Sequence, residues 1–214
     1  MSLRIAWGIS GSGDFLPETI EVMKNLVKKG DVKVTIFLSR AAVGVVDWYG
    51  LRQELESISP KILVEEGPNS PFIAGALQIG RYDFLVISPA TANTVAKIVV
   101  GIADSLVTNS VSQAQKGNIP TYIVPVDQTR GRVTTILPTG EKLELTMRDV
   151  DVHNVEKLRS MKGITVLKHP REILNLLAQR GRSPIELAGG QPRSNIQRKI
   201  LDSAARKFSC LALM

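Results

Sequence analysis

Cysteine and histidine are scarce in this sequence. Cys210 is the only cysteine, so neither an intrachain disulfide nor a cysteine-cluster metal site can form. His153 and His169 are the only histidines, which argues against a histidine-rich metal centre. We therefore expect a chain that holds no metal.

Aromatic residues and long apolar runs are also scarce. Aromatics make up only 5% of the 214 residues, so a platform for stacking nucleic-acid bases is poorly supported. No apolar stretch reaches the roughly 18 residues of a membrane-spanning helix, and no basic-then-apolar leader precedes Leu3–Trp7. We expect a soluble, cytoplasmic protein whose partners are neither membranes nor nucleic acids.

Acidic residues are few in the C-terminal tail. The whole chain has a net charge of +7. Residues 180–214 contain seven basic and two acidic side chains, so this tail contributes +5 to the net charge of the chain. A basic tail of this kind suits an acidic partner protein, nucleic acid or solvent.

Residues 84–109 carry the clearest pattern in the sequence. The apolar run Phe84–Ile87 is typical of a buried parallel strand, and it is expected to stop at Ser88-Pro89. Small and hydroxylated residues follow, and a helical pattern begins at Val95. In an open α/β sheet such a junction faces the ligand crevice. The alternative is an ordinary turn in which Thr91 only caps the helix.

Two further loops have the composition of phosphate sites. The loop GISGSG separates the apolar strand Leu3–Trp7 from a helix. It lacks the Lys-Ser/Thr ending of a P-loop, and Leu16 stands where the dinucleotide fingerprint has its third glycine. The strand Val32–Leu38 ends at Ser39-Arg40, which offers a hydroxyl and a guanidinium. A plain turn and a surface arginine are the alternatives for these loops.

Strands and helices alternate through the first 127 residues. Further strands are expected at Lys61–Val64 and Thr121–Val124, with a helix at Ser105–Lys116. The alternation predicts an α/β fold with a doubly wound parallel sheet, of the Rossmann or flavodoxin-like three-layer type.

The pattern changes after Asp127. Alternating segments around the turn PTGE predict an appended β-hairpin at about residues 133–147. We expect residues 1–181 to form one domain. Residues 182–214 are expected to form a linker and a basic amphipathic C-terminal helix.

Several of these motifs together resemble a known family. The segments SPATANT and GIADSLVTN, with GISGSG after the first strand, are similar to those of the homo-oligomeric flavin-containing cysteine decarboxylase superfamily. This resemblance covers about residues 3–127. The hairpin and the segment HNVEKLRSMKGITVL further resemble its archaeal flavoprotein and dihydromethanopterin reductase branch. The resemblance implies that the cofactor is FMN.

The resemblance also implies which residues bind FMN. At the ends of the first and second strands it indicates Gly11, Ser12, Gly13, Ser39 and Arg40. After the apolar strand Phe84–Ile87 it indicates Ser88, Pro89, Ala90, Thr91, Ala92, Asn93, Thr94 and Asn109. FMN has a dianionic phosphate for loop N–H groups and hydroxyls, and a planar ring that suits a turn without bulky side chains. No catalytic residue is implied.

The chain departs from the decarboxylases in two places. No histidine precedes His153, and Val124-Pro125-Val126-Asp127 stands where that family has P-x-M-N after the fifth strand. Without a histidine base and that asparagine, cysteine decarboxylation lacks its usual groups. We therefore expect an FMN-dependent reductase that passes electrons to a small acceptor, and the resemblance suggests a dihydropterin.

Two other functions stay open. One is an FMN electron carrier that accepts electrons from a ferredoxin-like protein, which would suit the basic tail. The other is an NADP-binding Rossmann protein in which Ser39-Arg40 holds the 2′-phosphate.

A homo-oligomer built on trimers is expected. The family precedent is trimeric, and the hairpin is too small to be stable without a partner surface. The helices after SPATANT also carry more apolar residues than one sheet face needs, namely Ile98, Val99, Val100, Ile102, Leu106 and Val107. The alternative is a monomer whose hairpin folds back over its own helices.

Overall fold

Six parallel strands form the central sheet. They are β1 (Leu3–Ile9), β2 (Val32–Leu38), β3 (Ile62–Val64), β4 (Phe84–Ala90), β5 (Thr121–Pro125) and, after a hairpin, β8 (Ile164–Val166). Their spatial order is β3-β2-β1-β4-β5-β8. This order reverses between β1 and β4, which creates the switch point where ligands bind in doubly wound folds.

Eight helices accompany these strands within the described residues. They are α1 (Leu16–Lys28), α2 (Arg40–Trp48), α3 (Arg52–Ile58), α4 (Ile73–Gln78), α5 (Ala92–Val99), α6 (Leu106–Lys116), α7 (Asp149–Arg159) and α8 (Glu172–Arg180). Buried residues of α1, α2, α3 and α8 join one core cluster, and those of α4 to α7 join another. The side chains of β1 alternate between the clusters, with Trp7 in the first and Ala6 in the second. The predicted three-layer α/β fold is thus confirmed.

The computed structural model describes residues 2–28 and 30–180. The chain divides into two compact units, Met1–Ala178 and Gln179–Met214, and all eight strands belong to the first. The predicted linker and C-terminal helix at 182–214 lie outside the described residues.

The sequence predicts that strand β4 stops at Ser88-Pro89. In the structure it continues to Ala90. Its register with β5 shifts between Ile87 and Ala90. Such an irregularity accommodates a proline in an inner strand, because proline has no N–H to give to the ladder. The helix that follows begins at Ala92, three residues before the predicted Val95.

The predicted hairpin is present as the antiparallel pair β6 (Arg132–Ile136) and β7 (Lys142–Thr146). It returns toward the loop after β1. The Thr135 hydroxyl donates to a carboxylate oxygen of Asp14, and the Tyr49 hydroxyl donates to the Ile136 carbonyl at 3.3 Å. All residues of β7 remain exposed.

The predicted oligomer surface is only partly exposed. Ile98, Leu106 and Val107 are buried inside the subunit, so they belong to its own core. By contrast, Val100 is 65% exposed and Ile102 is 45% exposed.

Candidate functional site

The candidate site lies at the carboxyl ends of β1 and β4, where the strand order reverses. Residues 10–14 follow β1, and the turn before α5 follows β4. Because the two strands are neighbours, the two motifs that the sequence singles out lie side by side.

Ser10, which lies in GISGSG but was not among the predicted site residues, joins these two segments. Its hydroxyl donates to the Pro89 carbonyl at 2.9 Å and accepts the Thr91 N–H at 2.8 Å. Its own N–H also donates to the Pro89 carbonyl, at 3.2 Å. Ser10 is only 2% exposed, so these bonds are shielded from water.

The loop after β1 packs closely against α2 and its C-terminal cap. A Cβ added to Gly11 would lie 2.7 Å from the Ala41 Cβ, and one added to Gly13 would lie 2.0 Å from the Tyr49 hydroxyl oxygen. Position 11 therefore requires glycine for space, because the Ala41 backbone carbon would also lie only 3.1 Å away, whereas a Cβ at Gly13 would force the Tyr49 side chain aside. This need explains why the loop is glycine-rich without a dinucleotide fingerprint.

Three hydrogen-bond donors in this loop have no acceptor within the part of the chain that the structure describes. Among the described residues, no acceptor meets the N–H groups of Gly11 and Gly13 or the Ser12 hydroxyl, whereas the Ser12 N–H donates to the Ser10 carbonyl at 2.8 Å. All three residues are partly exposed. Unpaired donors at a strand end are the groups that a phosphate or another anion needs, so this loop fits an anionic cofactor.

The loop also contains backbone strain. Phe15 has a φ of 62°, which is uncommon for a bulky residue. Its ring meets the His169 ring edge to face, with centroids 5.2 Å apart. Strain of this kind concentrates at functional loops.

Ser39 and Thr91 are both helix N-caps. The Ser39 oxygen accepts the Ala42 N–H at 3.1 Å, and the Thr91 oxygen accepts the Thr94 N–H at 3.3 Å. The capping role of Thr91 is thus confirmed. The Ser39 cap leaves that hydroxyl's hydrogen available to a ligand.

Three predicted site residues are turned away from this crevice. The Ser88 hydroxyl pairs with Thr19 at 2.8 Å in the core. The Arg40 guanidinium donates to the Glu66 carbonyl. The Asn109 amide donates to the Pro68 carbonyl at 2.7 Å. These contacts join residues far apart in the sequence, and local motifs do not reveal them.

The other residues of the second motif differ in exposure. Pro89 and Ala90 are buried. The Pro89 carbonyl accepts the Ser10 N–H and the Ala90 carbonyl accepts the Val126 N–H, so both residues hold the turn in place. Ala92 is partly exposed and Asn93 is exposed at the start of α5, whereas Thr94 is buried. Of this motif, Thr91, Ala92 and Asn93 are therefore the residues that a ligand can reach.

Glu65 links two helix N-termini beside the site, and no sequence signal pointed to it. Its carboxylate accepts the Arg40 N–H and the Leu106 N–H, each at 3.2 Å. One carboxylate thus caps both α2 and α6.

Asp127 supplies a carboxyl at the end of β5. The preceding residue, Val126, donates its N–H to the Ala90 carbonyl at 3.0 Å, which places Asp127 beside the β4 turn. Burial raises the pKa of the Asp127 carboxyl above its ordinary value, nearby Asp151 and Asp14 raise it further, and Arg148 opposes them.

The described residues contain no cluster of three or more His, Cys, Asp or Glu side chains suited to hold a metal ion. Within the same part of the chain, no helix is long and apolar enough to cross a membrane.

The fold and the crevice define a doubly wound α/β protein with a glycine-rich loop at its switch point. The chain belongs to the Flavoprotein family, whose model matches residues 1–203. This assignment confirms the resemblance seen in the sequence motifs.

Individual relatives are similar over most of the chain. An uncharacterized protein of Methanocaldococcus jannaschii is 55% identical over 171 residues, covering 80% of this chain and 92% of that protein. The dihydromethanopterin reductase (acceptor) of the same organism is 37% identical over 234 residues, covering 81% of this chain and 95% of that enzyme. Among solved structures, Burkholderia xenovorans DmrB in complex with FMN, described as a cubic protein cage for redox transfer, has a TM-score of 0.72 and 32% identity, covering 84% of this chain and 95% of that chain.

Proposed function

We propose that this chain is an FMN-dependent reductase that passes electrons to a small acceptor, and that the acceptor is a dihydropterin. The unpaired N–H groups of Gly11 and Gly13 and the Ser12 hydroxyl at the switch point carry this proposal. Membership of the Flavoprotein family and the FMN in the similar DmrB structure support FMN as the cofactor. The similarity to a dihydromethanopterin reductase supports the acceptor class.

The accessible residues of the two motifs would hold the cofactor. Gly11, Ser12, Gly13 and Ser39 offer N–H and hydroxyl donors for its phosphate and polar chain. Thr91, Ala92 and Asn93 offer a surface without bulky side chains for its ring. When bound, FMN supplies the two-electron chemistry, so the chain itself needs to bind, orient and exclude water.

Decarboxylation of a cysteine-containing substrate is the competing activity. One histidine does lie near the loop, because the His169 ring contacts Phe15. Its Nδ1, however, accepts the Arg171 N–H at 3.2 Å, and at the end of β5 Gln128 donates to the carbonyls of Pro125 and Leu167. The Gln128 amide is therefore held by protein carbonyls where the decarboxylases have their asparagine motif, which favours the reductase.

We also propose a homo-oligomer built on trimers. A groove of about 350 Å³ between α5 and α6 is lined by Val99, Ile102, Val111 and Met161 among others. The exposed Val100 and Ile102 lie on it. An exposed apolar patch of this kind is typical of a subunit interface, and the DmrB structure is described as a protein cage.

Anaerobic flavin reoxidation tests this function. The FMN-loaded protein is reduced chemically and mixed with a dihydropterin, with ferricyanide, or with anaerobic buffer alone. We expect the dihydropterin to restore the oxidised flavin spectrum and to yield the tetrahydropterin. Reoxidation only by one-electron acceptors would favour the electron carrier instead. Carbon dioxide released from a cysteine-containing peptide would contradict the reductase.

A further inference from the structure

Asp127 holds a position in the candidate site that the cofactor-binding residues do not explain. The bond from the Val126 N–H to the Ala90 carbonyl ties the end of β5 to the β4 turn. Asp127 follows directly and is partly buried. Asp14, which belongs to the loop after β1, is near enough to act on the pKa of this carboxyl.

The neighbouring charged groups are already paired. Asp151 accepts two hydrogen bonds from the Arg148 guanidinium, at 2.7 and 2.8 Å. Asp14 accepts the Thr135 hydroxyl. The Asp127 carboxyl has no hydrogen-bond partner among the described residues. A partly buried polar group without a partner in a native fold requires an explanation.

The surroundings also raise the affinity of the Asp127 carboxyl for a proton. The groups that act on Asp127 are two carboxylates, of Asp151 and Asp14, and one guanidinium, of Arg148. Burial raises its pKa most, the two carboxylates add to this increase, and Arg148 lowers it. A carboxyl whose pKa is raised above its ordinary value is better suited to donate a proton as a general acid.

Two other proton-bearing groups lie near the loop. The Tyr49 hydroxyl donates to the Ile136 carbonyl, and burial together with Asp14 raises its pKa above the ordinary value of a phenol. The His169 ring contacts Phe15, and its Nδ1 accepts the Arg171 N–H. Of these three groups, Asp127 is the one that directly follows the bond joining β5 to the β4 turn.

We propose that Asp127 donates the proton that completes reduction of a C=N bond in the acceptor, an assignment that rests on the proposed function. In this step the C=N π bond breaks, and one C–H and one N–H bond form. The carbon would receive its hydride, with both electrons, from reduced FMN, which the residues named above would hold. The nitrogen receives the proton from the Asp127 carboxyl oxygen, and the carboxylate then regains a proton from water.

The test compares Asp127→Asn and Asp127→Glu with a matched control, Asp31→Asn, which changes an exposed aspartate just before β2. Each FMN-loaded variant is reduced and mixed anaerobically with a dihydropterin or with ferricyanide, which takes electrons without needing a proton. FMN content and circular dichroism confirm that each variant is folded and loaded.

We expect D127N to slow reoxidation by the dihydropterin about 100-fold and to leave reoxidation by ferricyanide unchanged. D127E should keep part of the rate with a shifted pH profile, and D31N should match the wild type. In protein carrying ¹³C-labelled aspartate carboxyls, the resonance that D127N lacks should titrate at a higher pH than aspartate in the unfolded chain.

Two results would overturn this assignment. One is a D127N rate with the dihydropterin equal to that of the wild type. The other is an Asp127 resonance that titrates like aspartate in the unfolded chain. A wild-type protein that is reoxidised by ferricyanide but never by the dihydropterin would instead overturn the proposed function itself, and the assignment with it.

Discussion

At the scale of single residues, Ser10 holds the candidate site together. Its buried hydroxyl satisfies the Pro89 carbonyl and the Thr91 N–H. In Ser10→Ala both backbone groups lose that partner, so we expect a loss of about 1–3 kcal/mol in the free energy of unfolding and weaker FMN binding. Chemical denaturation and flavin titration measure the two effects.

The control for this change is Ser57→Ala. Ser57 is exposed, and its hydroxyl donates only to the Glu54 carbonyl within its own helix. That variant should stay within about 0.5 kcal/mol of the wild type. An S10A protein that is as stable and as tightly flavin-bound as S57A would contradict the role of Ser10.

Asp127 should reduce stability at neutral pH. Its pKa is raised in the folded state, so folding favours the protonated carboxyl. This contribution to stability is present at low pH and is lost as the pH rises through the folded-state pKa. We therefore expect Asp127→Asn to be more stable than the wild type at neutral pH, with the gain shrinking in acid. Denaturation midpoints over a pH series, with D31N as the control, measure this. A gain that does not change with pH would contradict it.

Which residues form the loop was easier to predict than which partners their neighbours' side chains contact. The sequence indicated that Gly11, Ser12 and Gly13 form an anion-binding loop, and the structure shows unpaired donors there. It could not indicate that Ser88 turns inward to Thr19 or that Asn109 bonds to Pro68, because both contacts depend on the folded chain. Local patterns carry little information about such long-range pairs.

At the scale of elements, the Glu65 carboxylate joins the N-termini of α2 and α6. It accepts one N–H from each helix, and a negative charge there also interacts favourably with both helix dipoles. We expect Glu65→Gln to lower the free energy of unfolding by about 1–2 kcal/mol. Glu56→Gln, at an exposed position of α3, is the control, and equal stabilities of the two variants would refute the double cap.

The sheet was predictable because its strands are apolar runs separated by helical patterns. Phe84–Ile87 is a clear example, since it forms the buried part of β4. The extension of β4 to Ala90 was not predictable, because proline usually ends a strand and only the register shift beside β5 accommodates it. The short helix α3 (Arg52–Ile58) was also missed.

At the scale of the whole molecule, the predicted interface needs revision. The many apolar residues between Ile98 and Val107 suggested a partner surface. Three of them, Ile98, Leu106 and Val107, are buried in the subunit's own core. Apolar composition alone does not distinguish a core from an interface. Of the predicted residues, Val100 and Ile102 remain exposed, and they lie on the groove between α5 and α6.

A charge on this groove tests the assembly. Val100→Asp, at a position 65% exposed, should lower the mass measured by light scattering because it places a carboxylate in the apolar contact. Val150→Asp, at a position 55% exposed on α7, is the control and should keep the wild-type mass. A wild-type protein with the mass of one chain, or a V100D protein that assembles normally, would contradict the interface.

The most direct test of the central claim is the cofactor that the purified protein releases on denaturation. Chromatography of the released material identifies the cofactor and gives its ratio to protein. We predict FMN at about one molecule per chain in the wild type. Its loss is expected in Gly11→Ala, where an added Cβ would lie 2.7 Å from the Ala41 Cβ and 3.1 Å from the Ala41 backbone carbon. Gly44→Ala, where nothing lies within 4 Å, should keep full occupancy. Release of FAD, no flavin after reconstitution, or full FMN occupancy in G11A would contradict the account.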